Sequence, residues 1–197
     1  MMIQSQFTLV LSLMMLQGCL GALDTLYYHE WKYRLCAHPE HSRVELMLHG
    51  VRDLIYAVLF ICLPRWSWGG GWAACLVILL VTEIVITLID FVIERRVRQP
   101  WGGLASGELM MHALMAIIYG AFLLSLTPHI MTWWGLPTGF ASHHAPPQPW
   151  MIWAASLMGL GVGLAGVRDL SVSFGVRILQ WPWGRDQRLT KVIKETL

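Results

Sequence analysis

The chain reads as an all-α integral membrane protein of about five transmembrane helices, four of them bundled around a polar site near one face of the bilayer. Three observations predict this. Of the 197 residues, 56% are hydrophobic and 13% charged, whereas a soluble domain carries about a quarter charged residues. Several apolar runs approach the roughly 20 residues that cross a hydrocarbon core. The basic residues gather in alternate connections, as they do when a chain is threaded back and forth through a membrane. No long polar stretch could form a second unit, so residues 1–197 form one membrane domain. The eleven Trp suit two interfacial belts.

Span one is expected over residues 7–28. Leu16-Gln17-Gly18-Cys19 is similar to a lipoprotein cleavage box, but residues 1–18 hold no Lys or Arg, and a secretory signal wants a basic start. The segment is therefore read as a retained helix. A polar loop with Lys32, Arg34, His38, His41 and Arg43 follows. Span two covers 44–63 and stops at Pro64; residues 65–71 form a short turn with interfacial Trp. Span three covers 72–93, runs into Glu94-Arg95-Arg96, and is broken by Gln99-Pro100-Trp101-Gly102-Gly103. Span four covers 107–126 and ends at Thr127-Pro128; residues 129–149 are too polar and too rich in Pro and Gly to cross. Span five covers 150–167. The tail 168–197 is basic, and 176–183 suits the membrane surface. The four cysteines, Cys19, Cys36, Cys62 and Cys75, form no CxxC pair and are read as free thiols. The pentapeptide Gly50-Val51-Arg52-Asp53-Leu54 recurs as Gly166-Val167-Arg168-Asp169-Leu170. The likeness stops there and reads as coincidence.

Five spans put Lys32, Arg34, Arg43, Arg95, Arg96, Arg98, Arg168, Arg177, Arg185, Arg188, Lys191 and Lys194 on one side, and Arg65 on the other. The positive-inside rule then sets the N-terminus outside and the C-terminus in the cytoplasm, in an inner or plasma membrane.

In this topology no acid falls on the outer side. Glu45 and His49 are i, i+4 on span two, with Asp53 continuing the row. Asp90 and Glu94 are i, i+4 on span three, with Glu83 seven residues before Asp90. Glu108 and His112 are i, i+4 on span four, and Asp24 lies near the end of span one. His49 is six residues inside Arg43, Asp90 five inside Arg95, Asp24 eight inside Lys32, and His112 six past Ser106. These four differ in depth by only about one helical turn and can share a layer. A charge within a span costs at least ~2.5 kcal/mol near the bilayer centre, and carboxylates facing one another repel. A bound dication removes both problems, and imidazole with carboxylate suits iron, manganese or zinc. Asp53 is expected to pair with its neighbour Arg52.

The ligand order resembles that of the di-iron carboxylate proteins, whose four helices present a carboxylate, a Glu-His pair, a second carboxylate and a second Glu-His pair. Here the order is Asp24, Glu45 with His49, Asp90 or Glu94, then Glu108 with His112; both pairs are Glu-x-x-x-His where the family has Glu-x-x-His. The resemblance implies a dinuclear metal centre, most naturally iron, with these residues as ligands. His29, on the same side of the membrane, is read as an extra ligand. His38-Pro39-Glu40-His41 is similar to the His-x-x-His element of membrane hydroxylases and desaturases, but their other His boxes are missing.

Three functions follow. The first is a metal-dependent oxidoreductase (hydroxylase, desaturase or oxidase) acting on a lipid or other apolar substrate, with Glu83 as a catalytic proton relay. The second is a haem protein with His49 and His112 as axial ligands, which the acid cluster argues against. The third is a non-catalytic membrane subunit or a proton or cation pathway. For that role Gly159, Gly161, Gly163 and Gly166 of span five would pack against a membrane partner. No nucleic-acid partner is expected.

Overall fold

The computed structural model describes residues 2–180. It is helical throughout apart from two short strands. The helices are α1 (Met2–Asp24), α2 (Pro39–Cys62), α3 (Gly71–Val97), α4 (Ser106–Trp134) and α5 (Pro149–Ser173). Strands β1 (Trp66–Gly69) and β2 (Gly139–Ser142) pair antiparallel, with Trp66 opposite Ser142 and Trp68 opposite Phe140. Four segments are long and apolar enough to cross a membrane: Phe7–Lys32, Gly71–Val97, Ser106–Trp134 and Pro149–Ser173. Helix α2 matches them in length, but its inward polar residues dilute its hydropathy.

The five helices run in alternating directions. The β pair joins the α2–α3 connection to the α4–α5 connection at one end of the bundle. The start of α1 is at that end too, with Phe7 packed on His143 (ring centroids 4.4 Å apart) and Trp133. At the other end the chain leaves α1 and α3 and enters α2 and α4.

Several element ends differ from expectation. Residues 65–71 are mostly strand, because the backbone polar groups at this end need partners. Beyond the ladder, Gly70 N–H donates to Trp133 O at 2.9 Å and Gly71 N–H to Thr138 Oγ1 at 3.1 Å. Helix α4 continues through Pro128 for six further residues, with Leu126 and Trp133 buried against the core. Proline removes one donor there, yet burial of the following turn holds the helix. Helix α2 begins at Pro39, where proline is pre-set for a first turn, and α5 runs on to Ser173. Arg177–Gln180 is a short 3-10 turn, and the rest of the tail lies outside the described residues. All four cysteines are free.

The repeated pentapeptides meet each other. Helices α2 and α5 pack antiparallel with their backbones in close approach. A Cβ built on Gly166 would lie 2.8 Å from Asp53 Cβ and 2.9 Å from Gly50 O, and one built on Gly50 would lie 2.9 Å from Gly166 O. Further along, Gly159 and Gly163 face Ala57. The glycine face expected to serve a partner is thus occupied by α2, except at Gly161, which has open space around it.

Two apolar clusters bracket the polar interior. The larger runs from the β end inward and includes Leu11, Met14, Leu59, Phe60, Leu76, Phe122 and Leu126. The smaller closes the opposite end with Tyr33, Leu35, Leu46, Val97 and Val172.

Candidate metal centre

Between those clusters lie Asp24, His29, Glu45, His49, Asp90, Glu94, Glu108 and His112, all at most 8% exposed. Helix α2 contributes Glu45 and His49, α3 contributes Asp90 and Glu94, and α4 contributes Glu108 and His112. Each pair sits one turn apart on an inward face.

The first layer is the one expected from depth. His49 Nε2 is 2.8 Å from Asp90 Oδ2, and Arg52 Nη1 donates to the same oxygen at 3.2 Å. His112 Nε2 is 3.3 Å from Asp24 Oδ2, and its Nδ1 is 3.4 Å from Glu94 Oε2. His29 joins the two halves: its Nε2 is 3.5 Å from Asp24 Oδ2, and its ring stacks on His49 at 4.5 Å between centroids.

Local backbone explains how His29 gets there. After Asp24 the helix widens into a π-helix over Thr25–Lys32, with Tyr33 N–H bonded to Tyr28 O. In an α-helix, residue i+5 lies about 140° around the axis from residue i. The i→i+5 bonding of a π-helix draws such residues together, as at many functional sites, so Asp24 and His29 share one interior.

The second layer is a buried arginine ringed by acids. Arg98 is fully buried. Its Nη1 donates to Glu45 at 2.9 Å, its Nη2 to Glu94 at 3.1 Å and to Glu108 at 2.9 Å, and its Nε to Glu108 at 3.2 Å. Tyr33 covers the guanidinium, 4.4 Å from ring centroid to Cζ. Burial and the nearby Glu108 push the Tyr33 phenol well up. Sequence reasoning placed Arg98 in a cytoplasmic loop and so missed it. The available signal was its i+4 spacing from Glu94 just before the Gln99-Pro100 break. Gly102 and Gly103, both at positive φ, reverse the chain immediately afterwards. Arg52 was also misread: it reaches Asp90 on α3 instead of its neighbour Asp53.

Glu83 stands apart, two turns toward the β end from Asp90. Tyr56 Oη and Thr87 Oγ1 both donate to its Oε1 at 3.0 Å, and its Oε2 is buried with no hydrogen bond of good geometry among the described residues. The His-x-x-His element is structural. His41 Nε2 donates to Val97 O at 2.9 Å, closing the end of α3, and His38 packs near Trp101. His143 bonds Leu63 O at the β end, remote from the cluster. A satellite group joins the loop to α5: Arg168 holds Glu30 through both oxygens, and Cys36 Sγ donates to Asp169 at 3.4 Å. Burial, with Asp169 adding to it, pushes the Cys36 thiol far up, so this sulfur stays protonated.

The central cluster has a charge imbalance. Asp24, Glu45, Asp90, Glu94 and Glu108 face two guanidiniums, an excess of three negative charges if all are ionised. Asp24 Oδ1, Asp90 Oδ1, Glu108 Oε2 and His29 Nε2 are buried without a hydrogen bond among the described residues. Such groups are costly unless something compensates them. Within this cluster two groups of three donors have ligand atoms within 4.8 Å of one another, His29 with Glu45 and His49, and His29 with Glu94 and Glu108; a third group, Glu30 with Cys36 and Asp169, belongs to the satellite. Nitrogen and carboxylate donors in this proportion fit a first-row transition ion. The carboxylates of both groups, Glu45 in the first and Glu94 and Glu108 in the second, are already held by Arg98.

A cleft of about 500 Å³ opens between α3 and α4. Its walls are largely apolar, with Phe91, Val92, Leu109, Ala113 and Ala116, and it reaches Glu94 and His112. Comparison with family models, curated proteins and solved structures returned no match. The site is therefore read from its own geometry.

Proposed function

We propose that this chain is a membrane metalloprotein and an oxidoreductase, in which a redox-active ion, most naturally iron, serves oxygen-dependent oxidation of an apolar substrate. The observation that carries this reading is the group His29, His49 and Glu45, buried and within 4.8 Å at the ligand atoms. Two imidazoles and one carboxylate would hold such an ion, a donor set that suits oxygen chemistry at non-haem iron; manganese or zinc could occupy the same donors. The bound ion would supply oxygen activation. The chain's own residues would hold it, exclude water and manage protons.

The dinuclear centre implied by ligand order is the stronger form of this proposal. It would need Glu94 and Glu108 to leave Arg98, whose guanidinium already supplies one positive charge among the three glutamates. A single ion at His29, His49 and Glu45 would draw only Glu45 from Arg98 and leave Glu94 and Glu108 on it, which is less rearrangement. Asp90 and Asp24 then act as orienters, Asp90 accepting from His49 Nε2 and Asp24 facing His29 Nε2 at 3.5 Å. The haem alternative is less well supported, because His29 stacks on the face of His49. A proton path remains compatible: Glu83 bonds Tyr56, one turn from Arg52, which reaches Asp90.

The test is metal analysis with an absorption spectrum on the full chain purified after iron supplementation. One ion per chain without a Soret band is expected; two would support the dinuclear form, and a Soret band or no metal would sink the reading. His29→Ala and His49→Ala should each lower bound metal at least tenfold. His112→Ala should also lower it, less so for a single ion. His144→Ala should not, and Glu83→Gln should keep the metal while slowing turnover. We further propose that α2 is the fifth span and that the N-terminus is outside. Its close antiparallel packing on α5 supports the span, and the basic-residue asymmetry supports the orientation.

A further inference from the structure

The α3–α4 cleft has a polar gradient along its length. At the end of the bundle nearest the chain turn it is lined by Arg95 and Leu104; deeper, it is lined by Val92, Leu109, Ala113 and Ala116. Arg95 is exposed and makes no ion pair or hydrogen bond among the described residues. Its neighbour Glu94 does not neutralise it, because Glu94 is 2% exposed and turned inward to Arg98 and His112. Among the described residues the mouth therefore carries an unopposed guanidinium, at the end of the bundle where the spans proposed above would meet the headgroups. Small side chains keep the deeper part open: Ala113 and Ala116 sit one turn apart on α4, both exposed.

Depth can be counted along the helices. His112 stacks on Phe91 and contacts Glu94, so Arg95 lies a few residues toward the bundle end and Ala116 four residues the other way. At 1.5 Å per residue, the cleft floor from Arg95 to Ala116 is about 10 Å long. Glu94 lies one residue from Arg95 at the mouth, and His112 lies about 4 Å further in.

From this geometry we infer that the cleft binds a bilayer lipid with an anionic headgroup, the headgroup on Arg95 and the adjoining stretch of acyl chain along Leu109, Ala113 and Ala116. Charge complementarity selects the head, since a guanidinium holds a phosphate by paired hydrogen bonds and basic residues at a membrane surface attract anionic lipid. The apolar walls take the chain. The inference rests on the metalloprotein reading for its purpose, because it sets the chain carbons closest to the headgroup, and not the tail, beside Glu94 and His112. The class of substrate is thereby narrowed from apolar molecules in general to anionic acyl lipids.

The experiment is native mass spectrometry of the full chain in mild detergent. It is titrated with phosphatidylglycerol or with phosphatidylcholine of the same acyl chains. The wild type should retain phosphatidylglycerol at least tenfold better. Arg95→Gln should abolish that preference, Arg95→Lys should restore part of it, and Ala116→Phe should weaken binding of both lipids. Arg65→Gln, at the β end, should change nothing. Equal retention of the two lipids by the wild type, or an undiminished preference in Arg95→Gln, would overturn the inference. Metal content of the same preparations separates the two readings. Lipid preference without metal would reject the metal centre alone, and metal without lipid preference would reject the cleft inference alone.

Discussion

Arg98 decides how the buried acids coexist. Three glutamates from three helices converge on it, and none is more than 2% exposed. Removing one partner from a buried ionic network leaves uncompensated charge, at a cost of about 3–5 kcal/mol. Arg98→Met should therefore lower stability by about that amount. Arg96→Met, two residues earlier but exposed, should stay within about 0.5 kcal/mol. Reversible unfolding in detergent, followed by tryptophan fluorescence, would compare them. Equal stability of the two variants would mean that the three glutamates are neutral in the folded protein. Arg98 is also where reading the chain alone fell short. A basic residue just past the end of a hydrophobic run looks solvated, and only the fold of the next connection reveals that it turns back. The acids and histidines were legible for the opposite reason, since their i, i+4 spacing on three separate helices has one economical explanation, a shared interior.

At the scale of elements, the α2–α5 crossing holds the site in register. Glu45 and His49 ride on α2, and α5 fixes the position of α2 through backbone approach at Gly50 and Gly166. A side chain at Gly166 must enter the space of Asp53 Cβ and Gly50 O, at 2.8 and 2.9 Å even for the first carbon. Backbone cannot yield as a flexible side chain can. Gly166→Leu should cost about 1–3 kcal/mol or more from overpacking and should displace His49. Gly161→Leu, with open space around it, should be tolerated. Unfolding midpoints and bound metal measured on both variants would check this, and a stable Gly166→Leu would show that the crossing is looser than drawn. The π-helix after Asp24 is the other element that matters. Nothing in Thr25–Lys32 announces a wider turn, yet without it His29 would face away from Asp24. His29 entered the expected ligand set because it falls on the same side as the acid cluster, whereas the wide turn is the physical cause of its placement.

At the scale of the molecule, alternating helices put the polar cluster at one end and the β pair at the other. If the positive-inside rule governs insertion, the β-pair end faces out. A cysteine in place of Arg188 should then resist an impermeant thiol reagent added to intact cells, and one in place of Phe140 on β2 should react. These single cysteines are best built on a chain whose four native cysteines are replaced by Ser. Reaction at position 188 with protection at 140 would invert the orientation. The cluster itself would not move, since its contacts are independent of which side faces the cytoplasm.

Composition and periodicity by themselves determined that the chain is a set of membrane-length helices and that the i, i+4 pairs Glu45–His49, Asp90–Glu94 and Glu108–His112 share one region. Both follow from local rules: apolar length against bilayer thickness, and side-chain direction against helical pitch. Only the tertiary structure decided what those residues touch. It placed Arg98 among Glu45, Glu94 and Glu108, sent Arg52 to Asp90, and brought the two Gly-Val-Arg-Asp-Leu segments face to face. It also joined residues 66–69 to 139–142 as strands. Each of these is a contact between distant segments, set by the rotation of one helix against another and by the need to satisfy every buried polar group at once. A one-dimensional pattern records which faces are polar, but not which polar face meets which.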